Sequence, residues 1–335
     1  MTASVAATTD IPLPEPRGTL SAAVREALGH RRPGEPLPEV RVDDADPYGE
    51  DLQLALYTCY ELHYRGFAGV DSGWEWDGAL LTLRGAMEGV FERALRADVA
   101  GGTGRDDLDA ELDALLTEPR EAGGVAAYLR REGGVGQLRE YFVHRSLYQL
   151  KEADPQAWVI PRLEGQAKAS LVAVEYDEFG AGRGERVHAR LFADLMADAG
   201  LDPSYGRYLD AVPAATLATV NLMSHLGLHR ALRGALVGHF AAGEISTAPA
   251  ARRMVDAIDR LGAGPACRHF YSEHIEADAV HEQVMRRDVI GGLLATEPGL
   301  TADVVFGIQA TGLLDDRLEH YLLDAWQAGR SSLRG

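Results

Sequence analysis

Residues Tyr271–Gln283 read YSEHIEADAVHEQ. The stretch predicts a helix. At about 100° per residue, positions i, i+4 and i+7 return to one side, so His274, Asp278 and His281 fall within about 60° of each other. Ile275, Val280 and Val284 lie on other parts of the helix, which lets the polar stripe point inward. Imidazole nitrogens beside a carboxylate suit iron, manganese or zinc. The same spacing also describes a solvated or salt-bridged face, and the zinc-protease pattern H-E-x-x-H is absent. Distant partners must decide between the two readings.

Working outward, the rest of the chain repeats the helical period. In DLQLALYTCYELHYRGF (51–67) the apolar residues Leu52, Leu54, Leu56, Cys59 and Leu62 recur mostly at three- and four-residue steps. The same rule holds for VGQLREYFVHRSLYQLKEAD (135–154) and TADVVFGIQATGLLDDRLEHYLLDAW (301–326). Pro155 and Pro161 bracket a loop, Asp202–Pro203 reads as a helix start, and Ser246–Thr247 with Pro249 as a cap or kink. There is no alternating strand of useful length, no Asn-Gly hairpin and no repeat period. The expected fold class is all-α, with one domain over residues 46–330. Residues 1–45, rich in Pro, Thr, Arg and Glu, read as a flexible leader with one short helix, TLSAAVREALGH.

Composition narrows the partners. The 335 residues carry a net charge of −18, which repels nucleic acid backbones and anionic membranes. Cys59 and Cys267 are far apart and form no C-x-x-C pair, so neither a thiolate metal site nor a disulfide framework is expected. The opening MTASVAATTDIPLPEP has no basic start and no apolar core, so no secretory signal is read there, and the cytoplasm is the expected compartment.

Three further places offer ligands. VEYDEFGAGRGERVH (174–188) packs Glu175, Asp177 and Glu178 before Gly180, Gly182 and Gly184, then His188. Alternate glycines are costly inside a helix and should break it. In an unbroken helix Glu178 and His188 would sit about 80° apart; a break lets them converge. Glu185 and His188 form an E-x-x-H pair, the spacing of ferritin-like di-iron bundles, so two carboxylates compete for this role. Glu152 lies at a helix end, and Glu244 lies inside an apolar run where a buried carboxylate needs a partner.

Together these residues resemble the haem-oxygenase-like di-iron oxidases and oxygenases, the iron-containing redox enzymes. The resemblance spans about Asp46 to Trp326 and is carried most specifically by H-x-x-x-D-x-x-H, His274, Asp278 and His281. It implies a haem-oxygenase-like helical bundle whose metal ligands are Glu152, Glu178, His188, Glu244, His274, Asp278 and His281, with Glu178 and Asp278 closest to the chemistry. It implies two Fe²⁺ ions as cofactor and O₂ as co-substrate. Four carboxylates would balance the two dications, and Glu178 would bridge them. One iron is expected near Glu152 and His188, the other near Glu244, His274 and Asp278. The nine residues between Glu178 and His188 resemble the N-oxygenating branch, which includes the central domain of an N-nitrosourea synthase.

The reaction implied is N-oxygenation of an amine or guanidine of an amino acid in a biosynthetic pathway, through a peroxo-diferric species. The alternative at the same site is desaturation or C–C cleavage of an amino or fatty acid. Other classes are a thiaminase-like or haem-binding relative, or a non-catalytic helical interaction protein. A small-molecule substrate, an external electron donor and a homodimer are the expected partners. Glu175, Tyr176 and Asp177 are candidates for support around the ligands, and Arg183, Arg186 or Arg190 for pairing a substrate carboxylate.

Overall fold

The computed structural model describes residues 11–99, 107–116 and 123–335, with the side chains of 276–280 outside the description. Among the described residues there is no β-strand, as the all-α reading requires. The chain divides into two compact units, residues 1–94 and 95–335.

In the first unit, α1 (Thr19–His30) packs on α2 (Glu50–Glu61), and α3 (Gly78–Asp98) begins after a short 3₁₀ turn. The short helix expected in the leader is α1. Its buried residues Leu20, Val24, Ala27 and Leu28 recur at helical steps, so one face is apolar and needs a neighbour. Asp51 supplies that neighbour's polar anchor, accepting from the backbone N–H groups of Leu20 and Ser21 and from the Ser21 hydroxyl. These are the donors a helix start leaves unpaired.

The second unit holds α4 (Leu108–Leu116), α5 (Gly124–Arg131), α6 (Val135–Gln149), α7 (Asp154–Ala157), α8 (Gly165–Glu178), α9 (His188–Asp198), α10 (Ala214–Leu228), α11 (Arg233–Leu261), α12 (Pro265–Gln283), α13 (Gly291–Thr296) and α14 (Thr301–Gln327). The 29-residue α11 packs most extensively on α12 and α14. It approaches α14 closely because Gly238 and Gly307 lack side chains. A Cβ on Gly238 would overlap the Val304 carbonyl, and one on Gly307 would overlap the Ala235 carbonyl. Leu129, Phe142, Phe192, Ile258, Phe270 and Trp326 fill one core between these helices. Each such side chain contributes about 1.5–3 kcal/mol by leaving water.

One boundary is narrowed by the structure and another differs from the sequence reading. Of the cap or kink read at Pro249, the cap drops out: the helix continues through Pro249 to a left-handed Gly262. The Ser246 and Thr247 hydroxyls bond back to the carbonyls of Ala242 and Gly243, so they serve the helix they sit in rather than capping a new one. Asp202–Pro203 starts a turn instead of a helix, with Asp202 Oδ1 accepting from the Ser204 N–H, and α10 begins only at Ala214. An Asp can satisfy a turn as readily as a helix start, and the local sequence does not separate the two.

The helix with the His274/His281 stripe is fixed at its start. Asp198, the last residue of α9, accepts from Ala266 N at the beginning of α12 (2.7 Å). It caps α12 and fixes α12 against α9. At the other end, after Gln283, the backbone passes into a π-helix, Val284–Ile290. Among the described residues, no single helix is long and apolar enough to cross a membrane.

Candidate metal centre

α8 ends at Glu178 because Gly180, Ala181 and Gly182 all have positive φ, at 74°, 52° and 80°. Gly180 is required twice over, since a Cβ there would also press on the Arg186 carbonyl carbon and Val187 nitrogen at 2.7 Å. The Tyr176 hydroxyl donates to the Ala181 carbonyl and holds the bend (2.8 Å). The chain then turns back and α9 opens on His188. The break read from the glycines therefore does converge the pair: His188 Nδ1 lies 2.6 Å from Glu178 Oε2. The oxygen is close but not aligned with the ring nitrogen as a hydrogen bond, and His188 Nδ1 has no hydrogen-bond partner.

Glu152 comes just after α6. Ala153, left-handed at φ 71°, turns the chain toward α7 immediately after it. α12 brings His274 and His281, one side of a helix as expected, and α11 brings Glu244. The result is two buried triads, Glu152/His188/His274 and Glu178/Glu244/His281. In each, one ligand atom per residue lies within 4.8 Å of the others. Glu178 reaches both groups, with Oε2 near His188 and Oε1 3.7 Å from His281 Nδ1.

Each α12 histidine is oriented through one nitrogen and turns the other toward a carboxylate of its triad, which for His281 is itself a hydrogen bond. His274 Nδ1 donates to the Phe270 carbonyl (2.8 Å), leaving Nε2 3.5 Å from Glu152 Oε1. His281 Nε2 donates to Asp177 (3.2 Å), leaving Nδ1 2.8 Å from Glu244 Oε2. Metal-bound histidines are commonly oriented in this way. The rings of His188 and His274 lie 4.6 Å apart.

The electrostatics are those of acids crowded together. Burial opposes protonation of His188, but Glu178 and Glu152 outweigh it and raise the ring's pKa. Burial likewise opposes protonation of His281, yet Glu244, Asp177 and Glu178 push it up to about 9. Burial would raise Glu152, but His274, His188 and Arg145 hold it below its ordinary value. Glu244 goes the other way, raised by burial and by the Glu178 charge despite His281. Glu175, 2% exposed, is pushed up to about 9 by burial, then by Glu178 and Glu244.

The residues fit a metal. The donors are nitrogen and carboxylate oxygen, the set that suits iron. Glu152 Oε2 is buried with no hydrogen-bond partner among the described residues. Like charges packed this tightly are relieved by a cation.

A family model described as iron-containing redox enzyme matches residues 139–316, more than half of the chain. The chain belongs to the iron-containing redox enzyme family. This iron-containing redox enzyme is an oxidoreductase with the family's all-helical, haem-oxygenase-like fold, and both triads lie inside the matched region. No curated protein matches its sequence.

In this iron-containing redox enzyme six of the seven candidate ligands meet. The seventh, Asp278, is on α12, and its side chain lies outside the described residues. The grouping differs from the expected one at His274, which joins Glu152 and His188; His281, expected in one shell or the other, joins Glu178 and Glu244. Helical spacing placed the two histidines on one face but gave no height along the axis relative to other helices. Glu185 is exposed and stays outside both triads. Arg183, Arg186 and Arg190 are exposed too, with Arg186 paired to Glu273 and Arg190 to Asp194.

Beside the triads lies a cavity of about 140 Å³ whose wall includes Tyr148, Glu152, Glu178, Glu244 and His274. Burial raises the Tyr148 phenol well above its ordinary pKa, and Glu152, Glu178 and Glu244 raise it further. A second cavity, about 290 Å³, shares Arg145, Gln149, Ser246, Thr247, His274 and Asp315 with the first. The sequence reading missed Tyr148, Arg145, Gln149 and Asp315. A signal existed for two of them: Arg145, Gln149 and Glu152 repeat the i, i+4, i+7 spacing that singled out α12.

Proposed function

We propose that this chain is a non-haem di-iron, O₂-dependent oxygenase that N-oxygenates an amine or guanidine of an amino acid in a biosynthetic pathway. The observation that carries the reading is Glu178, one oxygen toward each of two buried triads. A haem or thiaminase-like role would leave two buried triads, with three carboxylates and three histidines between them, without a use; haem needs a single axial histidine.

Glu152, His188 and His274 would hold one iron, and Glu178, Glu244 and His281 the other, with Asp278 completing the charge balance. When bound, the two ions supply O₂ binding and reduction. The chain's own part is positioning. Phe270 and Asp177 fix the two imidazoles, so the donor atoms are aimed before any ligand arrives. Burial excludes bulk water from the carboxylates. Tyr148 remains a neutral phenol and presents an O–H to the cavity; its oxygen accepts from Gln156 Nε2 (3.2 Å). The reacting nitrogen must be uncharged to accept oxygen, and the acids lining the cavity are the bases that would take its proton.

The test is metal analysis with O₂ uptake on the purified chain, followed by product identification from a panel of amino acids. Two irons per chain, O₂ uptake and an N-hydroxylated product are expected. A chain that binds no iron sinks the reading. Iron with a desaturated or cleaved carbon product moves the reaction to the second class.

A further inference from the structure

Among the six residues the two cavities share, three that are not candidate metal ligands stand out: Arg145, Gln149 and Asp315. Arg145 is a half-buried residue of α6. It makes no hydrogen bond and no close ion pair with a described residue, although it is electrostatically coupled to Asp315. Asp315, on α14, is likewise without a hydrogen bond or close ion pair and is accessible where it lines both cavities. Gln149 is 6% exposed, and its Oε1 is buried with no donor. Nearby groups differ: Glu319, in the second cavity, accepts from Val125 N.

The orphaned amide oxygen of Gln149 is expensive to leave without a donor, and the Arg145 guanidinium and the Asp315 carboxylate stand beside it on the wall of the same cavities without bridging each other. Opposite charges that are coupled but not touching, across a shared space, call for a ligand carrying both signs. We infer that the junction of the two cavities binds the α-carboxylate of a free amino acid at Arg145 and its α-ammonium at Asp315 and the Gln149 Oε1. The amino-acid side chain then extends into the first cavity toward Glu152 and His274. A guanidinium matches a carboxylate bidentately. An amide oxygen beside a carboxylate accepts two of the three ammonium hydrogens. A fatty acid would satisfy Arg145 but lay an alkyl chain against Asp315, and an internal peptide residue has neither charge. This inference names the substrate class of the oxygenase reading and rests on it.

The test uses the full-length, iron-loaded chain under anaerobic conditions, with calorimetry against the twenty common L-amino acids and L-ornithine. The tightest binder is then compared with its decarboxylated amine and its desamino acid. The parent is expected to bind at least about tenfold more tightly than either analogue, the scale of one lost charge-assisted contact. Arg145→Gln should weaken the parent and the desamino acid but not the amine. Asp315→Asn should weaken the parent and the amine but not the acid. Arg145→Lys and thermal unfolding of each variant separate lost recognition from lost folding. Failure of the whole panel to bind, equal binding of the analogues, or losses that ignore the matching charge overturn the inference. Iron content and O₂ uptake are measured on the same preparation. An iron-free chain defeats the oxygenase reading, while the ligand profile is judged separately.

Discussion

His274 donates its Nδ1–H to the carbonyl of Phe270, one turn back on the same helix and 2.8 Å away. The bond orients the ring and leaves Nε2 3.5 Å from Glu152 Oε1. A metal held by this triad would be bound through that nitrogen. His274→Ala is therefore expected to lower bound iron and to leave O₂ uptake undetectable, while the far-ultraviolet circular dichroism stays helical. Full iron content in this variant would contradict the ligand assignment.

Asp177 does for His281 what Phe270 does for His274, but from a partly exposed side chain. Asp177→Ala should weaken iron binding by about 10- to 100-fold, the usual cost of losing a group that orients a ligand. Folding stability should change by no more than about 0.5 kcal/mol. Competition titration against a chelator, with urea unfolding alongside, reads both numbers.

Glu178 and Glu185 can be told apart directly. Glu178 belongs to one triad, reaches His188 of the other and is 4% exposed; Glu185 is on the surface. If the centre holds two irons as proposed, Glu178→Ala should lower the content of both. Glu185→Ala should leave iron content and O₂ uptake as they are. The opposite pattern would restore the E-x-x-H pairing.

The pH dependence has a definite sign. His281 is raised to about 9, so its protonated form is favoured in the fold. Its contribution to stability is complete below the ordinary histidine pKa of about 6.5 and is lost as pH rises through about 9. A metal needs the neutral ring, so the proton competes with it. Iron affinity should rise with pH from about 6.5 to about 9 while the stability of the metal-free chain from this group falls. Chelator competition and urea unfolding across that range should slope in opposite directions. Parallel slopes would show that His281 is not where metal and proton compete.

The close crossing of α11 and α14 gives a test of the scaffold alone. Gly238→Ala puts a methyl against the Val304 carbonyl, which is backbone and cannot rotate away. Overpacking of this kind costs about 1–3 kcal/mol. Gly243→Ala, on the same helix with open space at its Cβ, should cost little. The difference in urea midpoint between the two variants measures the crossing.

Much of the fold was legible in the chain. Period gave the helices, and the alternate glycines before His188 gave the bend that brings it to Glu178. The α12 stripe gave both histidines. What period could not give was height: which carboxylate stands opposite which imidazole depends on how far helices slide along one another. That is why His274 was grouped with Glu244 in sequence and lies with Glu152 in the fold. Of the two readings of Pro249, only the cap fails: the Ser246 and Thr247 hydroxyls bond to carbonyls of the same helix and α11 runs on. Arg145 and Asp315 were hidden for another reason. Their meaning comes from the space between two helices far apart in sequence: the spacing of Arg145 with Gln149 and Glu152 marks a face of α6, but nothing local says that Asp315 stands across a cavity from it.

α6 carries Arg145 and Gln149, and the turn after it carries Glu152, all on the wall of the first cavity. One turn of helix, about 6 Å, separates the first two, and Glu152 lies beyond them. The segment is thus a ruler: what anchors an amino acid by its backbone groups also sets how far its far end must reach. Chains as short as alanine or serine would stop before the carboxylates, whereas long side chains ending in an amine or a guanidine would arrive. Shifting the guanidinium by one helical turn, as in Arg145→Gln with Gln149→Arg, would change which length of side chain is accepted without altering any residue that holds iron.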